Sequence, residues 1–350
     1  MLKSIKIQNL GCFNETPSTI NFDNLTVMVG PNNSGKSTFF KALNFLKSVS
    51  HGKLLWSSDS YHLASFEDSV YSHDVERNIV IDATYNDDSD QFQAHLEINR
   101  GQVFASDFFK NGARLDDLSH EKHRGLLSQI WYFSPIRIAI PYQTATSIAS
   151  GNQPLFSNGG NIIQYLLEQW SDQNPQWNEL AEWLKKIDSK IDLLKTPVNL
   201  SSGTVQAATI RNDGQTVVDI NLSLQGSGIQ TIATILASVI FSPKNSTVII
   251  EEPENFLHPN AIENLIDLFN EKIRSDHKQI ILTTHSTSII SNYSNEIKGT
   301  ARRTPHIPTD LEHLRLVGIS GNLGLGKIIL FDPSKYDSGD LWHFYTEELG

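Results

Sequence analysis

The sequence predicts an α/β fold with a mostly parallel core sheet. In its last third, short apolar strands alternate with helical patterns, and near its start a Gly-rich turn joins an apolar strand at residues 25–29 to a helix pattern at residues 37–46. Such alternation is typical of parallel sheets, because parallel strands are joined by crossover helices. With 350 residues, 39% of them apolar, the chain is long enough to bury a large core.

The elements before residue 145 predict a nucleotide-binding lobe with an antiparallel β-subdomain. A strand pattern at residues 5–10 precedes the strand and helix already described. Three alternating segments follow, separated by turn residues, and a further buried strand is expected at residues 130–133. Strands separated only by short turns pair as antiparallel hairpins. The three segments cover residues 79–85, 92–98 and 102–108.

The middle of the chain predicts a helical lobe. Residues 144–160 are rich in Ser, Asn and Gly and are expected to form a long loop, and helices are expected at residues 161–170 and 176–194. The second helix carries an apolar stripe that we interpret as core. The stripe comprises Trp177, Leu180, Trp183, Leu184, Ile187, Ile191 and Leu194.

The remaining elements complete the predicted parallel sheet. Strand patterns at residues 204–210 and 216–222 flank an Asn-Asp-Gly turn and predict a hairpin. A helix from Gly228, a strand at residues 247–250, a helix from Asn260 and a strand at residues 279–283 follow. The predicted domain segments are 1–145 (nucleotide-binding lobe and β-subdomain), 146–222 (loop, helical insertion and hairpin) and 223–350 (the remaining motifs and a C-terminal hairpin).

Residues 30–37 match the phosphate-binding pattern G-x-x-x-x-G-K-[ST] in full, between a strand and a helix. The glycines let backbone N–H groups converge on phosphate, the lysine reaches the β- and γ-phosphates, and the serine holds Mg²⁺. A Gly-rich turn without a ligand is the weaker alternative. The predicted ATP contacts are Gly30, Pro31, Asn32, Asn33, Ser34, Gly35, Lys36, Ser37 and Thr38.

A second match to G-x-x-x-x-G-K lies at residues 321–327. There Ile328 replaces the hydroxyl residue, and residues 328–331 read as a strand where a phosphate loop needs a helix. We therefore predict a β-hairpin between the strands at residues 314–319 and 328–331, with no nucleotide role.

Adjacent carboxylates end the apolar strand at residues 247–250, as in a Walker B segment. We predict that Glu251 positions Mg²⁺ or its waters and that Glu252 polarises the attacking water. Acids after a strand are also common on surfaces, and the complete phosphate loop is what favours the catalytic interpretation.

Two further segments are candidates for phosphate contacts. His285 ends the next predicted strand, where it could hydrogen-bond the γ-phosphate, although a histidine at a strand end is often a polar cap. Gly226, Ser227 and Gly228 begin a helix and could supply a second anion-binding end. Ordinary helix capping by Ser227 is an equally good explanation of that triplet.

Taken in order, the phosphate loop, Gly226 to Gly228, residues 251–259 (Glu-Glu-Pro-Glu-Asn-Phe-Leu-His-Pro) and His285 resemble the ABC ATPases of the RecF, chromosome-maintenance and overcoming-lysogenisation-defect group. The resemblance covers residues 1–295 and implies an ABC ATPase head that binds ATP and Mg²⁺. It also implies a homodimer that sandwiches two ATP molecules, each between the phosphate loop of one subunit and the signature segment of the other. Residues 255–258 would then form the dimer-contacting D-loop.

The sequence departs from the ABC pattern at three points. Glu251 stands where Asp is usual, and the signature segment is not Leu-Ser-Gly-Gly-Gln, which argues against a transporter subunit. The Q-loop glutamine has no single candidate. It could be Gln91, Gln93, Gln102 or Gln143.

The overcoming-lysogenisation nucleases carry a metal-binding Toprim domain after the ATPase. No Asp-x-Asp follows His285 here, and residues 120–123 (His-Glu-Lys-His) read as a solvated helix end instead of a nuclease motif. The chain is therefore similar to the stand-alone ATPases of bacterial defence systems such as Septu and the retron-associated ones. We expect an ATP-gated sensor or clamp that controls a separate nuclease or toxin.

Composition limits the alternatives. A net charge of −11 gives no general attraction to DNA or membranes, and Arg302 and Arg303 are the one obvious basic cue for a DNA-repair ATPase, the main alternative. The single cysteine, Cys12, fits a cytoplasmic protein. No segment reads as a signal peptide or membrane anchor, so a membrane partner is not expected.

Overall fold

The chain forms two compact units, each assembled from segments that are distant in sequence. The first unit contains residues 1–130, 245–251 and 278–350, and the second contains residues 131–244 and 252–277. These limits differ from the three consecutive segments expected from the sequence, because parallel pairing joins strands that lie far apart along the chain. The computed structural model describes residues 1–30, 34–58, 61–62, 65–135, 143–144, 155, 158–169, 173–189, 191–196, 198–199, 204–205, 208–212, 217–285, 289, 314–320 and 327–330.

Strands dominate the first unit and helices the second. The described strands are β1 (Leu2–Gln8), β2 (Ser18–Asn21), β3 (Leu25–Val29), β4 (Ser57–Ser58), β5 (Tyr61–His62), β6 (Ile79–Asp87), β7 (Asp90–Asn99), β8 (Gln102–Lys110), β9 (Ala113–Asp116), β10 (Ile130–Phe133), β11 (Gln143–Thr144), β12 (Ile191–Lys195), β13 (Val198–Asn199), β14 (Thr204–Val205), β15 (Ala208–Asn212), β16 (Val217–Asn221), β17 (Thr247–Glu251), β18 (Gln279–Thr284), β19 (Leu314–Ser320) and β20 (Lys327–Leu330). The described α-helices are α1 (Lys36–Ser50), α2 (Phe66–Ser69), α3 (Glu121–Ser128), α4 (Ile162–Gln169), α5 (Pro175–Ile187), α6 (Ser227–Phe241) and α7 (Pro259–Asp276).

A mostly parallel sheet forms the core of the first unit, as the sequence predicts. The strands β17, β18, β3 and β19 lie side by side and parallel, and β20 pairs antiparallel with β19. Every residue of β3, β17 and β18 is buried. Strands buried on both faces consist of continuous apolar runs, which is why these segments do not alternate in sequence. The β19–β20 hairpin confirms that the second G-x-x-x-x-G-K match does not lead into a helix.

One buried amide fixes the starts of these strands. Gln279 Oε1 accepts hydrogen bonds from the backbone N–H of Leu2 at 3.1 Å and from Thr247 Oγ1 at 2.8 Å. Its Nε2 donates to the carbonyls of Leu2 at 2.8 Å and Asp23 at 3.0 Å. A fully satisfied amide in a core stabilises one arrangement of its partners. Gln279 therefore connects the starts of β1, β17 and β18 and the turn before β3.

The predicted antiparallel β-subdomain is also present in the first unit. Its strand order is β2-β1-β6-β7-β8-β9, and every neighbouring pair is antiparallel. Helix α1 packs against β1, β6 and α3. This sheet thus supports the helix that follows the phosphate loop.

The helices α5, α6 and α7 pack together in the second unit. Trp177, Leu180, Trp183 and Leu184 are buried on α5, as the apolar stripe predicts. The predicted extent of this helix is wrong, because α5 ends at Ile187 and residues 191–195 form β12, paired with β15. Apolar spacing alone does not distinguish the end of a helix from a short strand, and tertiary pairing decides it here.

A buried lysine joins two of these helices. Lys272 on α7 is 6% exposed, and its Nζ lies 2.6 Å from Glu179 Oε1 on α5 and 3.1 Å from Asp276 Oδ2. The amide of Gln176 on α5 donates to the carbonyl of Ile240 on α6 at 2.7 Å. These polar contacts fix the three helices in one register.

The segment His-Glu-Lys-His at residues 120–123 lies at the start of α3, and its first three residues are exposed or partly exposed, as the sequence predicts for a solvated helix end. The exception is His123. His120 caps α3 through its ring nitrogen, but His123 is fully buried, with its ring 4.9 Å from that of Phe108. Its Nδ1 bonds the carbonyl of Leu118 at 2.9 Å, and no described residue donates to its Nε2. Burial lowers the pKa of His123 from 6.5 to about 4.

This burial predicts a loss of stability in mild acid. Because the folded-state pKa is lowered, the unfolded chain binds more protons than the folded chain between about pH 6.5 and pH 4. The free energy of unfolding should fall across this window by up to about 3 kcal/mol from this residue. Denaturant titrations at pH 7 and pH 4.5 should therefore differ less for His123→Leu than for the unsubstituted chain. An equal difference in both chains would contradict the assignment.

Candidate nucleotide-binding site

The turn before α1 requires glycine at position 35. Gly35 has φ 99°, and a Cβ placed on it would lie 2.5 Å from Cys12 Sγ and 2.7 Å from Phe13 Cε2. Both the left-handed backbone and the packing therefore exclude any side chain. The predicted contacts Pro31, Asn32 and Asn33 lie outside the described residues.

The buried side chain of Lys36 bonds back to Gly30, the first residue of this loop. Lys36 is 6% exposed, it is the first residue of α1, and its Nζ donates to the carbonyl of Gly30 at 2.7 Å. The first turn of α1 contains no acidic residue, and no side chain at the N-cap accepts from it. The first turn of a helix has a positive dipole end, which is suited to an anion.

Ser37 and Glu251 meet at the carboxyl edge of the parallel sheet. The hydroxyl of Ser37 donates to Glu251 Oε2, and Glu251 is 3% exposed. A hydroxyl and a carboxylate are hard oxygen donors of the kind that Mg²⁺ prefers. The residues present therefore fit a magnesium ion that also binds phosphate oxygens and water.

Strand register also places His285, another predicted site residue, at the carboxyl edge of the parallel sheet. Glu251 pairs with Thr283, and Thr284 pairs with Val29, the residue before Gly30. His285 follows β18 directly and is exposed. The phosphate loop, the Walker B strand and His285 thus share one sheet edge, while the contact of His285 with the γ-phosphate remains a prediction.

Glu252 begins a tight loop in the second unit. Its φ is 46°, and Phe256, four residues later, has φ 66°. Few residues other than glycine adopt these left-handed conformations, and they are often found at functional sites. The side-chain amide of Asn255 donates to Glu252 Oε2 at 3.0 Å.

The start of α6 is open to solvent. Gly226 is its N-cap, without a side-chain hydrogen bond, and both Gly226 and Ser227 are exposed. The alternative considered from the sequence, in which Ser227 caps the helix, is therefore wrong. Gly228 packs closely against the loop after Glu252, since a Cβ on it would lie 2.7 Å from the carbonyl oxygen of Phe256.

Sequence reasoning missed several contacts that hold these elements in place. Cys12 and Phe13 line Gly35, Gln279 aligns the strands, and Asn255 contacts Glu252. The spacing Glu-x-x-Asn after a strand was the available signal for Asn255, whereas the others depend on contacts between distant segments. The Q-loop assignment stays open. Gln91, Gln93 and Gln102 are exposed on β7 and β8, and the side chain of Gln143 lies outside the described residues.

Fold and site together define a P-loop ATPase domain. Residues 25–291 match the family described as "AAA domain, putative AbiEii toxin, Type IV TA system", and the chain belongs to this family. It is 24% identical over 343 residues to the Old nuclease of Escherichia phage P2. The aligned region covers 83% of this chain and 57% of that protein. The chain thus spans little more than half the length of this relative.

Solved structures of similar fold include SMC head domains. The SmcHead bound to the C-winged helix domain of ScpA superposes with a TM-score of 0.62 at 15% identity, over 95% of this chain and 98% of that chain. The SMC head domain from Thermotoga maritima gives 0.51 at 15% identity, over 95% and 99%. These similarities confirm the α/β head fold expected from the sequence. Among the described residues, no helix combines the length and apolarity needed to cross a membrane.

Proposed function

We propose that the chain binds ATP with Mg²⁺ and hydrolyses the nucleotide. The observation that carries this proposal is the hydrogen bond between Ser37 and Glu251, which joins the phosphate loop to the Walker B strand. Lys36 would contact the β- and γ-phosphates, and Ser37 and Glu251 would hold the ion. Bound Mg²⁺ would neutralise charge on the phosphates as the γ-phosphoryl group leaves.

Two residues are proposed to act on the reacting groups. Glu252 would polarise the attacking water, and His285 would hydrogen-bond the γ-phosphate. In support, Glu252 directly follows Glu251 in the chain, and His285 follows β18, the strand in which Thr283 lies opposite Glu251 in the backbone register. Both have side chains that can accept or donate a proton during transfer.

We further propose that the active form is a homodimer. Gly226, Ser227 and Gly228 of one subunit would meet the γ-phosphate held by the phosphate loop of the other. The start of α6 supports this arrangement, because Gly226 and Ser227 are exposed at the positive end of the helix dipole and no N-cap side chain bonds to it. Leu224 and Phe256, which are 80% and 68% exposed, are large apolar side chains that a partner subunit could cover.

At the level of the cell, we propose an ATP-gated sensor or clamp in bacterial antiphage defence. ATP-dependent closure would control an effector, a nuclease or toxin, which we expect on a separate cytoplasmic chain as in Septu and retron-associated systems. The similarity to a phage nuclease and the toxin description of the family support a link to such effectors. The net charge of −11 supports a protein partner over DNA.

A DNA-repair ATPase is the second candidate, favoured by the fold shared with chromosome-maintenance heads. It predicts DNA binding that weakens steeply with salt, because phosphate contacts release counterions. Arg302 and Arg303, the basic cue for this function, lie outside the described residues. Affinity for duplex DNA measured at 50 and 200 mM salt separates the two functions, since the sensor should bind DNA weakly at both concentrations.

Glu252→Gln tests hydrolysis and dimerisation together. Without the carboxylate, the variant should bind ATP normally but hydrolyse it about 100-fold more slowly, the usual contribution of a general base. ATP should then trap a dimer, whereas ADP should not. Phosphate release gives the rate, and light scattering after size-exclusion chromatography gives the mass. Turnover at the unsubstituted rate would contradict the role of Glu252, and a monomer with ATP bound would contradict the sandwich.

A further inference from the structure

The side-chain amide of Asn255 connects Glu252 to a distant part of the second unit. Its Nδ2 donates to Glu252 Oε2 at 3.0 Å and to the carbonyl of Pro135 at 3.3 Å. The amide has two N–H groups, and each has one of these acceptors. The opposite orientation would place Oδ1 against a carboxylate and a carbonyl, both acceptors. The chemistry of the neighbours therefore fixes which way the amide points.

The backbone of Asn255 also forms a hydrogen bond to Glu252. Its N–H donates to the carbonyl of Glu252 at 3.1 Å and closes a tight turn. A second turn follows, in which the N–H of Leu257 donates to the carbonyl of Glu254 at 2.9 Å. Glu252 and Phe256, on either side, both have left-handed backbones. Such conformations cost about 1 kcal/mol or more each and persist where surrounding contacts impose them. Asn255 supplies two of those contacts, one to the main chain and one to the side chain of Glu252.

The same loop packs against the signature segment. The carbonyl oxygen of Phe256, the residue after Asn255, lies so close to Gly228 that a Cβ there would be only 2.7 Å away. A shift of the start of α6 would therefore displace Phe256 and, through the chain, Asn255. The loop from Glu252 to Phe256 is thus a short physical connection between the signature segment and the carboxylate.

We propose that Asn255 is a positioning residue that holds the carboxylate of Glu252 in line for water activation. The inference rests on the proposed role of Glu252. Asn255 touches neither nucleotide nor water in this proposal. It acts by fixing one oxygen of the carboxylate, so that the other oxygen faces the nucleophile, and misplacement of a catalytic group by about 1 Å can cost up to 100-fold in rate.

The central test is a double-mutant cycle of Asn255→Ala and Glu252→Gln. Asn255→Ala alone should lower kcat about tenfold and leave the KM for ATP within about twofold, because only the alignment of Glu252 changes. In the Glu252→Gln background, Asn255→Ala should cause no further loss, since the carboxylate that it aligns is gone. A merely structural role would lower both backgrounds equally. Phosphate release and fluorescent-nucleotide binding provide the measurements.

Two further variants complete the experiment. Asn264→Ala is the matched control, because this half-buried asparagine on α7 donates to the carbonyl of Asn260 in its own helix, and its loss should leave kcat unchanged. Asn255→Asp keeps the size but replaces the donor by a second carboxylate, and should lower kcat at least as much as Asn255→Ala. Activity of Asn255→Asp equal to that of the unsubstituted chain would overturn the proposal, as would equal losses in both backgrounds. If Glu252→Gln alone turns over normally, the role of Glu252 fails first and the inference fails with it.

Discussion

Replacing Lys36 should abolish most ATP binding. Its ammonium is the one side-chain cation in the described part of the phosphate loop, and the loss of one partner from a buried, hydrogen-bonded charge pair costs about 2–5 kcal/mol. ATP affinity should therefore fall by about 30- to 4,000-fold. Isothermal titration calorimetry with Mg·ATP measures the change directly.

The burial of Lys36 determines which substitution is informative. Its stem is enclosed, with 6% of the residue exposed, and its Nζ already donates to Gly30. Lys36→Ala would remove packing as well as charge, whereas Lys36→Met keeps most of the apolar volume. Both should lose ATP, but Lys36→Met should keep the thermal stability of the unsubstituted chain more closely. Lys47→Met, at an exposed position in the last turn of the same helix, is the control and should bind ATP normally. Undiminished affinity in a folded Lys36→Met would exclude the phosphate-loop assignment.

A negative charge at Gly226 should abolish ATP-dependent dimerisation and hydrolysis. Gly226 is exposed, its φ of −56° suits any residue, and nothing lies within 4 Å of a Cβ placed there. Gly226→Glu should therefore fold and bind ATP as a monomer, because its own phosphate loop is intact. Opposite the γ-phosphate of a partner, the added carboxylate would cost several kcal/mol, or about 1,000-fold in activity.

Gly228→Glu, at the other glycine of this segment, is a less clean test. A side chain there would collide with the carbonyl of Phe256 and disturb the loop that holds Glu252. Loss of activity would then have an explanation within one subunit. Gly226→Gln provides the matched neutral control for Gly226→Glu, since it adds the same bulk without the charge and should retain more activity.

Mixing inactive variants tests the shared site. Lys36→Met has an intact signature segment, and Gly226→Glu has an intact phosphate loop, so a mixed dimer contains one complete composite site. Phosphate release should reappear when the two proteins are combined and should depend on their ratio. Full activity of Gly226→Glu by itself, at concentrations where it stays monomeric, would contradict the sandwich.

Local sequence patterns were sufficient for the fold class and for the strand, turn and helix in which we place the phosphate loop. A fully apolar strand, a Gly-rich turn and a helix form one contiguous segment, and the glycine at position 35 reflects a backbone conformation that only glycine tolerates well. The same holds for the acids after β17, because burial on both faces makes such a strand recognisable from its apolar run. Each of these features depends on residues that are close together in the chain.

Tertiary contacts decided the features that local patterns left ambiguous or misjudged. The end of α5 at Ile187 depends on the pairing of β12 with β15. The burial of His123 on α3 depends on packing against the aromatic ring of Phe108 on β8. The pairing of Ser37 with Glu251 joins residues 214 positions apart. The contrast between Gly226 and Gly228 arises from one backbone carbonyl nearly thirty residues away. Close packing between distant segments determines all four features, and neither residue type nor local spacing carries that information.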